Sequence, residues 1–279
     1  MVKSLARTIT KNKLLTFAAL LVAIQLVLAV GAPLIAPFDP MTQSVARRLK
    51  GPSELHWLGT DQLGRDVLTR ILYGYRTSLI ACVLAVGIAL LAGGALGLVA
   101  AFYRGWLDRI IMRVMDVLFA FPVMLLAIGI IAVLGPHTFS AAAAIAVVYT
   151  PIFARLLRGP ALVLCESEFV AGARAIGASD ARIIFLHILP NLASVILVQT
   201  SLLLSAAILV EASLSFLGLG TQPPTPSLGL MLSEGRNFLM LSPWSAIFAG
   251  FAILFLSFGF NLLGDALRDT LDPRLRGQS

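Results

Sequence analysis

Apolar residues fill five long stretches free of Asp, Glu, Lys and Arg, at 14–38, 77–103, 117–154, 183–210 and 237–264. A bilayer span takes about 20 predominantly apolar residues, so four of these stretches predict one helix each. The stretch 117–154 has 38 residues. At about 1.5 Å per residue it would reach nearly twice the ~30 Å hydrocarbon core, so it must fold back. Gly135-Pro136-His137 is the strong breaker near its middle. The pattern predicts an all-α integral membrane protein with six transmembrane helices.

Composition agrees. The 279 residues are 58% hydrophobic and 13% charged, with mean hydropathy +0.93. Soluble domains carry about 25% charged residues, so this chain cannot build a water-facing surface all round. Basic residues then set orientation. With the amino terminus inside, the cytoplasmic side receives Lys3, Arg7, Lys11, Lys13, Arg104, Arg109, Arg113, Arg155, Arg158, Arg174, Arg182, Arg268, Arg274 and Arg276. The outer side receives Arg47, Arg48, Lys50, Arg65, Arg70, Arg76 and Arg236, so the 21 basic residues divide 14 to 7. Both termini are expected in the cytoplasm. The net charge of +7 reports topology and contact with anionic membrane lipid, not nucleic acid, because the basic residues are spread over separate inner segments.

These signals divide the chain into an inner terminus at 1–13, a first span at 14–38, an outer segment at 39–76, a five-helix core at 77–266 and an inner tail at 267–279. The start resembles a signal peptide, but its apolar part exceeds the usual length and five spans follow; it reads as a retained first helix. In the outer segment Val67, Leu68, Ile71 and Leu72 recur at helical spacing. They predict an amphipathic helix on the outer bilayer surface or the bundle, capped by Thr60 or Asp61. It serves either as packing or as a rim for an outside partner. Gly93 and Gly97 in the second span form a small-xxx-small face for close helix approach. An outer loop at 213–243, rich in Gly and Pro, reads as too broken for a helix.

The chain has no constellation for catalysis. Its histidines, His56, His137 and His187, fall in different loops or span ends, and Cys82 and Cys165 lie too far apart in topology to pair. No metal-ligand spacing occurs. No G-x-x-x-x-G-K-[ST] loop exists, so any ATP-driven work must come from another chain. Glu211 is the one carboxylate expected within a span, near its outer end. It is either a solvated or paired interface group or a gate or cavity-wall residue. Phe216, Pro223 and Pro224 in the adjoining loop are the other candidates for the outer pathway.

Between the fourth and fifth spans lies a polar inner loop at 159–190, with an island at 166–191. Ser167 is a good helix cap and Gly177 a good stop. Phe169, Val170, Ala173 and Ile176 fall on one stripe, while Ala171, Gly172 and Ala173 keep the helix thin. Such a helix either lies flat on the bilayer or inserts into a groove on a partner.

The island resembles the cytoplasmic loop of permeases in bacterial binding-protein-dependent ABC importers. That pattern has Glu-Ala-Ala, three residues, Gly, nine residues, and an ending Leu-Pro. Ala171-Gly172-Ala173, Gly177 and Leu189-Pro190 match its spacing, with Ala171 replacing the Glu. His56-Trp57-Leu58-Gly59-Thr60-Asp61, Gly64-Arg65-Asp66, Glu211-Ala212-Ser213-Leu214-Ser215-Phe216 and Asn261-Leu262-Leu263-Gly264-Asp265 are similar to segments of the peptide and nickel subfamily, second or C-type subunit. The resemblance implies a type I-like permease fold and a place in the cytoplasmic membrane. It implies a homologous B-type permease subunit, two ATP-binding subunits carrying ATP and Mg2+, and an extracytoplasmic solute-binding protein as partners. It further implies a coupling helix formed by Phe169, Val170, Ala171, Gly172, Ala173, Arg174, Ile176 and Gly177. The cargo it implies is a dipeptide or oligopeptide, with nickel or another small solute as the alternative. A stand-alone secondary carrier and a purely structural subunit are the readings from other classes.

Overall fold

The computed structural model describes residues 13–271; Lys3, Arg7, Lys11, Arg274 and Arg276, expected on the inner side, lie outside them. Among the described residues the chain is helical apart from its connections. The long helices are α1 (Lys13–Val30), α2 (Val67–Tyr103), α3 (Gly105–Ala120), α4 (Val123–Leu134), α5 (Thr138–Cys165), α6 (Glu168–Ala175), α7 (Ala193–Phe216), α8 (Leu228–Arg236) and α9 (Trp244–Leu271). Five helical stretches are long and apolar enough to span a bilayer, and α3 with α4 makes a sixth span if the bent pair counts as one.

That pair bends by 95°, a break the hydrophobic pattern did not reveal. Its cause is Pro122. The ring of a proline disfavours helical backbone at the residue before it, and Phe121 is extended, with ψ 138°. Gly135-Pro136-His137 breaks the run as well, leaving α5 to begin at Thr138.

The first turns of α2 were expected as an amphipathic helix on the outer bilayer surface or on the bundle, and they pack on the bundle. They continue into the second span as one helix of 37 residues. Val67, Ile71 and Leu72 are buried against protein, not laid on a bilayer. Asp66, not Thr60 or Asp61, is the cap: its carboxylate accepts the Thr69 N–H at 2.8 Å. Thr60 and Asp66 pair across a tight loop that closes just before the helix.

α2 and α5 form the central pair. Gly93 and Gly97 lie against the backbone of Thr150 and Ala154, so the small-xxx-small face is where the two helices meet. α1 docks on α9, and Gln25 Nε2 donates to the Phe255 carbonyl at 2.6 Å from a fully buried position. The segment before α7 winds through a wide turn, Ile183–Ile188, and a tight one, Leu189–Leu192, around Pro190. The outer connection after α7 also differs from expectation. It contains α8, whose Ser227 hydroxyl accepts the Leu230 N–H and whose Leu228 and Met231 are buried.

Candidate functional site

At one end of the bundle sits α6. Val170 and Ala173 are buried among Leu98, Ala101 and Phe102 of α2, Leu157, Ala161 and Cys165 of α5, and Ile183, Ile188 and Leu192. Arg174 lies over the Phe102 ring, 5.2 Å from its centroid. The predicted stripe is therefore divided: Val170 and Ala173 anchor the helix, while Phe169 is 46% exposed and Ile176 86% exposed. Ala171 and Gly172 are exposed as well.

Ser167 stands at the start of α6, but its hydroxyl donates backwards to the Leu164 carbonyl at 2.5 Å and caps no N–H of the helix. The other end is closed more firmly. Gly177 has φ +81°, its N–H meets the Arg174 carbonyl at 3.0 Å, and the Ala178 N–H meets the Ala173 carbonyl at 3.0 Å. This is the paired closure that a left-handed residue after a helix provides. A Cβ at Gly172 or Gly177 would meet nothing within 4 Å, so the space around them is open.

Three arginines assigned to this end by charge counting are paired. Arg158 holds Asp108 by two bonds of 2.6 Å, Arg155 holds Asp116 at 2.8 Å and covers the Phe119 ring at 4.1 Å, and Arg104 reaches Glu166 at 2.9 Å. They pin the bent span to α5 and the island to the end of α2.

At the opposite end the outer segment is organised by charge. Asp61 accepts the N–H groups of Leu63 and Arg65 at 2.9 Å each and the Arg65 Nε at 2.6 Å, and the Arg70 guanidinium lies 3.3 Å away. Arg65 and Arg70 each donate to Glu234 of α8 at 3.1 Å. His56 meets Asp66 at 2.9 Å. All but Glu234 are nearly or fully buried; its side chain is 18% exposed. Burial pushes the Glu234 carboxyl above the usual carboxylate range, against the pull of Arg65 and a bond from Gln62. Composition could not find this cluster, because Glu234 is 169 residues from Arg65.

Glu211 is 1% exposed, and its Oε1 accepts the Ser215 hydroxyl at 2.7 Å. It has no ion pair among the described residues, and it lines neither groove of α7. It is thus not a solvated interface group. Phe216 differs: with Leu209, Ala212, Ser213, Leu217, Leu232 and Ile253 it lines an open groove of about 380 Å³, and Arg236 covers its ring at 4.8 Å. Pro223 and Pro224 are exposed in the loop beyond, joined by a cis bond. Farther along α7 a second groove of about 450 Å³ is lined by Val195, Val198, Gln199 and Leu202, with Leu156, Arg268 and Leu271. Positions 195, 198, 202, 209, 213 and 216 share one helical face, so both grooves open on the same side of α7. Among the described residues no group of three His, Cys, Asp or Glu could hold a metal.

Residues 93–277 match the family model for the binding-protein-dependent transport system inner membrane component, and residues 3–52 match that for the N-terminal TM domain of oligopeptide transport permease C. The chain belongs to this permease family. A dipeptide transport system permease protein, DppC, of Alkalihalophilus pseudofirmus is 46% identical over 97% of the chain and 89% of the relative. A glutathione transport system permease protein, GsiD, of Pectobacterium atrosepticum is 47% identical over 93% of the chain and 86% of the relative. A chain of the MetNI methionine ABC transporter, in an inward facing conformation, superposes with TM-score 0.60 at 16% identity, covering 73% of this chain and 97% of that one. That likeness shows the fold. The permease is thus a C-type, multi-pass inner membrane subunit of an ABC importer, a class that works with ATPase and solute-binding partners.

Proposed function

We propose that the permease forms half of a translocation pathway for dipeptides or oligopeptides, together with a homologous B-type subunit. Two ATPase subunits would grip α6 on the cytoplasmic side, and a solute-binding protein would deliver cargo outside. The observation that carries this is the divided stripe of α6. A helix anchored by Val170 and Ala173 while Phe169, Gly172 and Ile176 stay free suits a groove on another protein, and its motion is transmitted to the bundle through Leu98, Phe102 and Ile183. The open face of α7, from Val195 to Phe216, supports a pathway or subunit contact along that side. Phe216, which lines the groove at the outer end, is the residue of this chain we place on the outer pathway; Glu211 is bonded to its neighbour Ser215.

ATP and Mg2+ would be held by the ATPases alone. Their energy reaches this chain only through different affinities for its inward- and outward-open states. Nickel or another small solute is the alternative cargo. Dipeptide names among the relatives favour peptide.

The test is Phe169→Asp in the assembled importer. ATP-driven uptake of a radiolabelled dipeptide into proteoliposomes should be lost while membrane insertion is unchanged, because Phe169 is half-exposed. Uptake at the wild-type rate would sink the assignment of α6.

A further inference from the structure

We infer that Glu234 is the positioning residue of the outer end, a strap that ties α8, itself held on α7, to α2 and the outer segment. The inference rests on the transport reading above. α8 is held on three sides. From α2, Arg70 reaches Glu234 at 3.1 Å, and the Ser78 hydroxyl accepts the Leu228 N–H at 3.4 Å. From the outer segment, Arg65 reaches the same Glu234 oxygen at 3.1 Å. From α7, the Phe216 carbonyl accepts the Ser233 hydroxyl at 2.8 Å, Arg236 covers the Phe216 ring, and Gly229 lies against the Ala212 backbone.

Charge makes Glu234 the decisive member. Asp61, Arg65 and Arg70 belong to one stretch of chain and bring two positive charges against one negative. Glu234 supplies the missing charge from α8. Without it, two buried guanidinium groups share one carboxylate, which is costly in a dry site. The strap also connects the two ends of the molecule. α7 begins at Ala193, just past Leu192, which packs with α6, and finishes at Phe216 beneath α8. A shift of α6 carried along α7 therefore arrives at α8, and Glu234 passes it on to α2 and the outer segment.

The experiment uses the complete importer in proteoliposomes, with radiolabelled glycylleucine as the probe and ATP hydrolysis followed in parallel. Glu234→Gln should lower uptake at least about tenfold, a coupling of ordinary size between two sites. ATP hydrolysis should persist and lose its stimulation by the binding protein, and Glu234→Asp should restore most of the coupling. Ser233→Ala, which removes one bond between α8 and α7, should show the same split in milder form. Two results would overturn the inference: wild-type uptake in Glu234→Gln, or uptake and hydrolysis falling together with the yield of assembled complex. Phe169→Asp in the same preparation separates the readings. If it leaves uptake intact the coupling assignment fails, whereas Glu234 can fail alone.

Discussion

Gly93 of α2 faces the Thr150 carbonyl of α5 with no room for a side chain: a Cβ there would overlap that oxygen and come within 2.9 Å of the Phe153 Cβ. Backbone, not a flexible side-chain tip, is what it would strike. Gly93→Leu should therefore push the central pair apart and cost about 1–3 kcal/mol or more, as overpacking does. The check is thermal unfolding of the detergent-solubilised permease. Gly87→Leu, at a position where a Cβ meets nothing within 4 Å, should leave the transition in place.

Neighbouring residues of α6 should answer the same substitution differently. Val170 is fully buried, so Val170→Asp places a charge among apolar side chains with no partner, which costs several kcal/mol. It should reduce the amount of folded protein. Phe169→Asp should keep normal yield and lose only transport. Size-exclusion profiles beside uptake rates separate the two effects.

The left-handed backbone at Gly177 sets a third expectation. Gly177→Ala meets no neighbour but must adopt φ +81°, which costs about 1–2 kcal/mol for an L residue. Hydrogen exchange of the Gly177 and Ala178 amides, which close the end of α6, should accelerate. Gly177→Asn should be milder, because Asn tolerates that region better.

Two ion pairs along the bent span predict unequal effects. Arg158 and Asp108 make a two-pronged contact and are partly buried, while Arg155 and Asp116 make a single bond and are more exposed. A double-mutant cycle should give about 1 kcal/mol for the first and close to nothing measurable for the second. Thermal unfolding at low and high salt would show it.

Apolar length was what the sequence reported best, because each span must satisfy its own backbone in lipid and so leaves a long run. Gly93 and Gly97 were legible for a similar local reason. Short-range cues misled where several competed. Thr60, Asp61 and Asp66 are all capable caps, and the tight Thr60–Asp66 loop decides in favour of Asp66. Pro122 hid inside an apolar run, and α8 hid among flanking prolines. The α6 stripe was visible, but its division was not, since only the packed ends of α2 and α5 tell Val170 from Phe169. The Glu234 cluster joins segments that no periodicity relates.

The bend at Pro122 leaves α4 with 12 residues, about 18 Å of helix, against a hydrocarbon core of ~30 Å. α3, turned by 95°, does not supply the missing length along the same axis. Hydrophobic mismatch is therefore concentrated on this one flank, where lipid must thin or a neighbouring chain must cover the gap. Bilayer thickness and contact with a neighbouring chain therefore bear on the same flank, the one where the third span turns.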